Sequence, residues 1–285
     1  EKPLTGYFGK PGEENVGRTE KAKMYREVMA IMDELKEAVD STDKKFLYAE
    51  NFVYATPVQK AAEIIRAKKS KLLFMKGEES LKGSSSSPVA GKWNKAGGGI
   101  LVRTGTHPLT GMLWLKQQEA LARGETITVK SVSADVGVTT ACLSEHEHRH
   151  IAARPEDVED YAAVTVTFSD GTKCLTIASD TVLGGTKNYI EVYSNDSSLM
   201  CNITPTDILN TYFLDEEGMD DVYLSEMLPA KLGWNKAFVS DEIIRGYMGE
   251  LQDFMETIAY DKTPSSDFAL AYETTKIMYA AYQSA

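Results

Sequence analysis

Over residues 19–39, Met24, Val28, Ile31, Met32 and Leu35 recur at three- and four-residue spacing with charges between them. That period predicts an amphipathic helix with one buried stripe. A short strand is expected at Lys45–Tyr48, leading into Ala49-Glu50-Asn51-Phe52. A second helix is expected from Thr56, with Thr56 as cap, Pro57 at the first helical position and Gln59 closing a capping box. Its buried stripe is Val58, Ala61, Ala62 and Ile65, and the basic run Arg66–Lys71 falls near its C-terminal end, where the helix dipole favours cations. Leu72–Met75 reads as a compact apolar strand. Residues 1–18 and 77–99 lack a period and are rich in Gly, Pro and Ser, so both are expected as loops. In the second of these, Ser84–Ser87 mark a mobile loop rather than a domain linker. Ile100–Val102 then reads as a strand, and His107-Pro108 opens a helix running to about Ala122.

The second half changes to a period of two. Strands are expected at Thr126–Ser133, around Val164–Phe168, at Cys174–Ala178 after an Asp170-Gly171 turn, at Lys187–Tyr193 and at Leu199–Ile203. Two helices close the chain. One is expected from Ser240 with Ile244, Tyr247, Met248, Leu251 and Met255, the other from near Ser266 with Leu270, Ile277 and Ala281. The fold class that follows is α+β: an open antiparallel sheet of at least five strands with helices packed on one face. Residues 1–285 are expected to form one domain. The Thr-rich alternate face of the sheet is either solvated or meets another subunit, and a homo-oligomer through the sheet is expected.

Composition narrows the function. Hydrophobic residues at 42% and charged residues at 26% are ordinary for a globular protein. A net charge of −11 argues against nucleic acid as the partner. No apolar run approaches the roughly 20 residues needed to cross a bilayer. Three widely spaced cysteines, Cys142, Cys174 and Cys201, do not make a disulfide framework and point to a reducing cytoplasm. The N-terminus has neither a signal-peptide pattern nor a starting Met, which reads as a fragment or processed product.

The segment AGGGILVRTGTHPLTGMLWL, residues 96–115, carries the strongest candidate chemistry. Its glycines allow close backbone approach, and a short strand is expected to deliver His107 to the first turn of a helix. The positive helix end disfavours imidazolium there, leaving a neutral base for a substrate hydroxyl. A histidine capping its own helix is the competing reading. His146, His148 and His150 would share one face of a strand with Cys142 nearby. Neighbours on that face lie about 7 Å apart, which makes chelation awkward, so no metal is expected and a polar surface is. Tyr48, Asn51, Glu79, Trp93 and Asn94 lie in irregular segments and are of the types that bind sugars.

Taken together, EKPLTGYFG at 1–9, NFVYATP at 51–57 and GGGILVRTGTHP at 97–108 resemble the glucose–fructose oxidoreductase and inositol dehydrogenase family, Gfo/Idh/MocA. The resemblance runs in order along essentially the whole chain. It implies a substrate-binding and catalytic C-terminal domain whose partner, an N-terminal Rossmann domain, holds NAD or NADP. No GxGxxG enters a helix after a strand within these 285 residues. The resemblance assigns Lys2 a place beside nicotinamide and substrate, with Pro3 in the same motif, and assigns His107 the acid/base role. It implies oxidation of a secondary hydroxyl of a sugar, glycoside or polyol, and a dimer through the sheet. Two positions depart from the family pattern. Where many members carry an aspartate four residues before the histidine, this chain has Arg103, expected to meet an acidic or strongly accepting group on the substrate, to impair catalysis, or to pair with a carboxylate such as Glu78 or Glu79. Phe52-Val53 replaces arginines that often follow the asparagine. A non-catalytic sugar-binding or oligomerisation module is the alternative that these departures support.

Overall fold

The computed structural model describes residues 1–83, 87, 89–204, 209–215, 217, 232–237 and 242–285. Helix α1 spans Lys21–Asp40 and buries Met24, Val28 and Met32. Its expected stripe is narrower than read, since Ile31 is exposed. No strand forms at Lys45–Tyr48. That stretch runs extended, with the Tyr48 amide donating to Ser266 O, into a 3-10 turn at Asn51–Tyr54. Helix α2, Thr56–Lys68, buries the four expected residues. Its capping box does not form, because the Gln59 amide donates instead to Val53 O at 2.6 Å.

Six strands build the main sheet: β1 Leu72–Ser80, β2 Val129–Gly137, β3 Tyr161–Phe168, β4 Lys173–Ser179, β5 Lys187–Ser194 and β6 Ser198–Asn202. Their order is β2-β3-β4-β1-β5-β6. All neighbours are antiparallel except β1 and β4, which are parallel. The expectation of a purely antiparallel sheet is corrected at that one pairing. The alternation in β3 sends Ala162, Val164, Val166 and Phe168 into the core and leaves Tyr161, Ala163, Thr165 and Thr167 half-buried on the open face. Each fully buried Val contributes about 1.5–3 kcal/mol, which fixes the register, because a one-residue slip would invert the whole set.

Helices α4 (Thr106–Arg123) and α6 (Phe268–Ser284) cover the core face. Helix α6 starts at the Asp267 cap and buries Leu270, Ile277 and Ala281, as the periodicity predicts. Gly77 lies where β1 passes beneath α4. A Cβ there would sit 2.8 Å from the Pro108 side chain, so glycine permits the close approach. β1 continues to Ser80, so the expected loop begins later than residue 77. Beyond it come a one-turn helix, α3, Trp93–Ala96, and a helical start at Ile100. Ser84–Ser86 lie outside the described residues.

Two further expectations are overturned. Ile100–Val102 is not a strand: the chain is helical from Ile100, with a π-turn over Leu101–Gly105 that runs directly into α4. The helix starts there because the buried Glu159 carboxylate accepts from the Gly99 and Leu101 amides, at 3.1 and 3.0 Å, and Glu159 O accepts from the Ile100 amide. The other correction concerns α5, Tyr247–Tyr260. Its expected buried residues Met248, Leu251 and Met255 are exposed, while Glu250 and Thr257 are buried. Gly246 sets this phase: a Cβ on it would lie 2.3 Å from Asn51 O, so the helix start is pressed against the Asn51–Tyr54 turn. Ser240, where the helix was expected to begin, lies outside the described residues. A separate hairpin pairs β7, Leu209–Phe213, with β8, Gly233–Ala237. The cysteines are free, Cys142 exposed and the other two buried.

Candidate functional site

Residues far apart in the chain meet where β1 ends and α4 begins. His107 is buried two turns into a continuous helical stretch that starts at Ile100, not in a first turn. The helix-end argument for its protonation state therefore loses its premise. What the imidazole has instead is a carboxylate: Nδ1 lies 2.5 Å from Glu50 Oε1. Phe52 stacks on the ring at 5.0 Å between centroids and 24° between planes. Nε2 makes no hydrogen bond among the described residues.

Lys2 joins this group through its ammonium, which donates to the Arg103 carbonyl. The peptide bond from Lys2 to Pro3 is cis. Burial pulls the Lys2 pKa below its ordinary value, against the opposing pull of Glu50, then Glu79 and Glu1. Glu50 is thus the carboxylate that acts most on Lys2 and also the one bonded to His107.

Arg103 does not pair with Glu78 or Glu79. One guanidinium nitrogen donates to both oxygens of Asp180 at 2.8 Å, so the charge is matched inside the protein. Its side chain reaches a polar cavity of about 170 Å³ that Asp180, Asp160 and Arg154 also line. Burial raises the Asp180 pKa while Arg103 lowers it, and burial prevails. Glu78 accepts from the Tyr189 hydroxyl at 2.9 Å and from Lys187 at 2.8 Å. Glu79 lies 3.7 Å from Arg245, and its Oε2 is buried without a partner.

Asn51 is turned to structural use, its amide donating to Arg245 O at 2.8 Å. Tyr48 is fully buried beside Thr106, and both hydroxyls lack a well-formed hydrogen bond. Burial first, and Glu50 second, raise the Tyr48 pKa. Trp93 and Asn94 are engaged elsewhere: the indole N–H donates to Tyr7 O at 3.0 Å and the Asn94 amide to Glu13 O at 2.8 Å, bracing the N-terminal loop. His146, His148 and His150 lie at a 3-10 turn rather than on a strand. Among the described residues no group of three His, Cys, Asp or Glu is arranged to hold a metal.

Sequence reasoning passed over Glu50, Glu159, Asp180 and Glu250. Glu250, on α5, has its pKa raised to about 7 by burial, then by Glu50 and Glu1. The one available signal was a carboxylate directly before Asn51, in a segment already singled out.

Residues 77–200 match the model of the GFO/IDH/MocA C-terminal domain. The matched stretch runs from the last four residues of β1 to the third residue of β6, and His107 lies within it. The fold agrees. The structure of GenD2 from gentamicin A biosynthesis, in complex with NAD, superposes with a TM-score of 0.63 at 18% identity, over 82% of this chain and 60% of that one. A probable dehydrogenase from Thermotoga maritima gives 0.61 at 18%, over 90% and 66%. The myo-inositol dehydrogenase from Lactobacillus casei, in complex with NAD(H) and myo-inositol, gives 0.58 at 17%, over 89% and 64%. At such identity these likenesses establish shared architecture, and the chain spans about 60–66% of the length of these three proteins. No curated protein matches the chain by sequence. Among the described residues no helix is long and apolar enough to cross a membrane.

Proposed function

We propose that this chain is the substrate-binding and catalytic part of a nicotinamide-dependent oxidoreductase that oxidises a secondary hydroxyl of a sugar, glycoside or polyol. The observation that carries the reading is that His107 is bonded to the buried Glu50, the carboxylate that acts most on the buried Lys2, whose ammonium is held by the Arg103 carbonyl one turn before His107. A site for alcohol oxidation needs a cation to orient the hydroxyl and a base to take its proton. Lys2 orients the oxygen, and His107 accepts the proton. Bound NAD or NADP supplies the hydride acceptor. Lys2 and Pro3 fit its nicotinamide end. The diphosphate end does not fit the glycine run at residues 97–99, because the Glu159 side chain already accepts from the amides at that helix start. The dinucleotide would accordingly be held mainly by a domain outside these 285 residues, and the isolated chain is expected to be inactive.

Arg103 is neutralised by Asp180, so it gives no ground for expecting an acidic substrate. With the Asn51 amide spent on Arg245 O, Tyr48 and Glu79, buried beside this group, remain the nearest candidates for a substrate contact. The half-buried sheet face, with Leu175, Ile177 and Tyr189 among its Thr residues, supports a homo-oligomer through the sheet. Unpaired cysteines accord with a reducing cytoplasm. The test is a polyol and glycoside screen for NAD(P)H formation by the protein joined to its nucleotide-binding domain, with Lys2→Ala and His107→Ala beside it. Turnover lost in both variants supports the reading. Cofactor binding with no turnover on any alcohol would leave the non-catalytic sugar-binding module standing.

A further inference from the structure

We propose that Glu50 is the positioning residue for His107, holding the imidazole proton on Nδ1 so that Nε2 faces the substrate as the base. The inference rests on the oxidoreductase reading above. An ionised carboxylate can only accept, so at 2.5 Å from Glu50 Oε1 the hydrogen must sit on His107 Nδ1. In a neutral ring Nε2 is then the atom with the free lone pair, and it is also the nitrogen without a hydrogen-bond partner among the described residues. The ring is not free to turn away, because Phe52 stacks against it.

Glu50 is itself fixed. It is fully buried at the start of the Asn51–Tyr54 turn, where the Phe52 amide donates to Oε1 at 3.4 Å. That turn is tied to α5 by Asn51 to Arg245 O and by the Tyr54 hydroxyl to Asp253 at 2.9 Å. Arg103, one turn before His107, is spent on Asp180 and does not compete for Glu50.

The proton balance is simple. With a bound oxidised nicotinamide supplying the hydride acceptor, the substrate O–H bond would break and the C=O bond form as the C–H pair leaves as hydride, and the proton would move to Nε2. The imidazolium keeps its Nδ1–H on Glu50, whose negative charge stabilises the cation until the proton passes to water.

The decisive measurement is long-range ¹H–¹⁵N correlation on the chain with ¹⁵N-labelled histidine. There are 4 histidines, and a His107→Gln variant assigns the signal. The expected result is a protonated Nδ1 and an unprotonated Nε2 in the unaltered protein, replaced by the Nε2–H form in Glu50→Ala. Since Glu50 is buried, Glu50→Gln serves as a second variant that keeps the shape and removes the charge. In the protein joined to its nucleotide-binding domain, it is expected to lower kcat about 10²-fold or more with KM nearly unchanged. Finding His107 as the Nε2–H form in the unaltered protein overturns the proposal. So does a His107→Ala variant without turnover beside a Glu50→Gln variant at full rate, an outcome that leaves the oxidoreductase reading intact. The expected tautomer pattern without any alcohol turnover supports the Glu50–His107 pairing and removes the oxidoreductase reading instead.

Discussion

Strand β1 and helix α4 each run between two buried clusters of charge, and the two clusters obey opposite rules. At the first end of β1 and the last turns of α4, every charge is matched. The Lys116 ammonium donates to Glu119 at 2.5 Å, to Asp170 at 2.8 Å and to the Thr172 hydroxyl at 2.7 Å. Glu119 also accepts from the Leu72 amide at 3.3 Å, and Lys71 lies 2.7 Å from Asp170. At the other end, Glu50, Glu79 and Glu250 each keep one buried carboxylate oxygen without a partner among the described residues. Each such oxygen costs about 1–3 kcal/mol. The matched cluster clamps α4 to the β3–β4 turn. The unmatched one gives up stability to keep charge around Lys2 and His107, which is what a site built to act on a ligand does.

If the contrast is sound, the two ends respond differently to substitution. His107→Gln, which keeps an amide donor for the buried Glu50, is expected to lower kcat about 10²–10⁴-fold in any active form that includes a nucleotide-binding domain, while thermal unfolding shifts less. Lys116→Ala should do the reverse. It takes the nearest cation from Glu119, which is fully buried and keeps only Lys71 and the Leu72 amide at 3.3 Å each, and is expected to cost about 3 kcal/mol, read as a lower denaturant midpoint. Replacing Lys116 and Glu119 together by Met and Leu should recover most of that loss. A Lys116→Ala protein that unfolds normally but fails in catalysis would break the comparison.

How much of this was legible differs along the same lines. The alternation of β3 and the period of α6 encode burial directly, so sheet and closing helix could be read from single residues. The clamp was not legible, because Lys116 and Asp170 meet only after α4 and the β3–β4 turn have packed. For the candidate site, His107 was singled out from its own segment and Lys2 by resemblance. Their shared carboxylate was missed, since Glu50 lies 57 positions from His107 and no local period marks it. Ile100–Val102 was misread as a strand because an apolar triplet buried on all sides has no period, and a distant residue, Glu159, caps it. On α5 the period was correctly seen but its phase was reversed, because burial there is set by Gly246 against the Asn51–Tyr54 turn rather than by hydrophobicity.

Acid should weaken the clamp within a definite window. Burial alone would raise the Asp170 pKa, but hydrogen bonds from Lys116 and Lys71 win and hold it well below the ordinary carboxylate range. A depressed folded value gives stability that is present above the unfolded value of about 3.9 and lost as pH falls through the folded one. Unfolding midpoints measured from pH 6 downward should therefore drop most steeply below about pH 4. Asp170→Asn should flatten that part of the curve, and an unchanged slope would remove Asp170 from the clamp.

Glu250 provides the smallest and most discriminating test, because its sign is opposite. Its folded pKa is raised to about 7, by burial first and by Glu50 next. In the unfolded chain the same group titrates near about 4.3. Between these values the folded state holds the extra proton, so the contribution of Glu250 to stability improves as pH falls from 8 toward about 4.3. Glu250→Gln removes the charge and keeps the shape, and is expected to stabilise the chain by about 1 kcal/mol at pH 8. That gain should shrink through pH 7 and vanish near pH 4, where acid begins to loosen the clamp instead. Thermal unfolding of both proteins across that range would show one curve converging on the other. A gain that persists at low pH would mean that Glu250 is costly for its shape rather than its charge, and the unmatched end of β1 would then lose one of its three carboxylates.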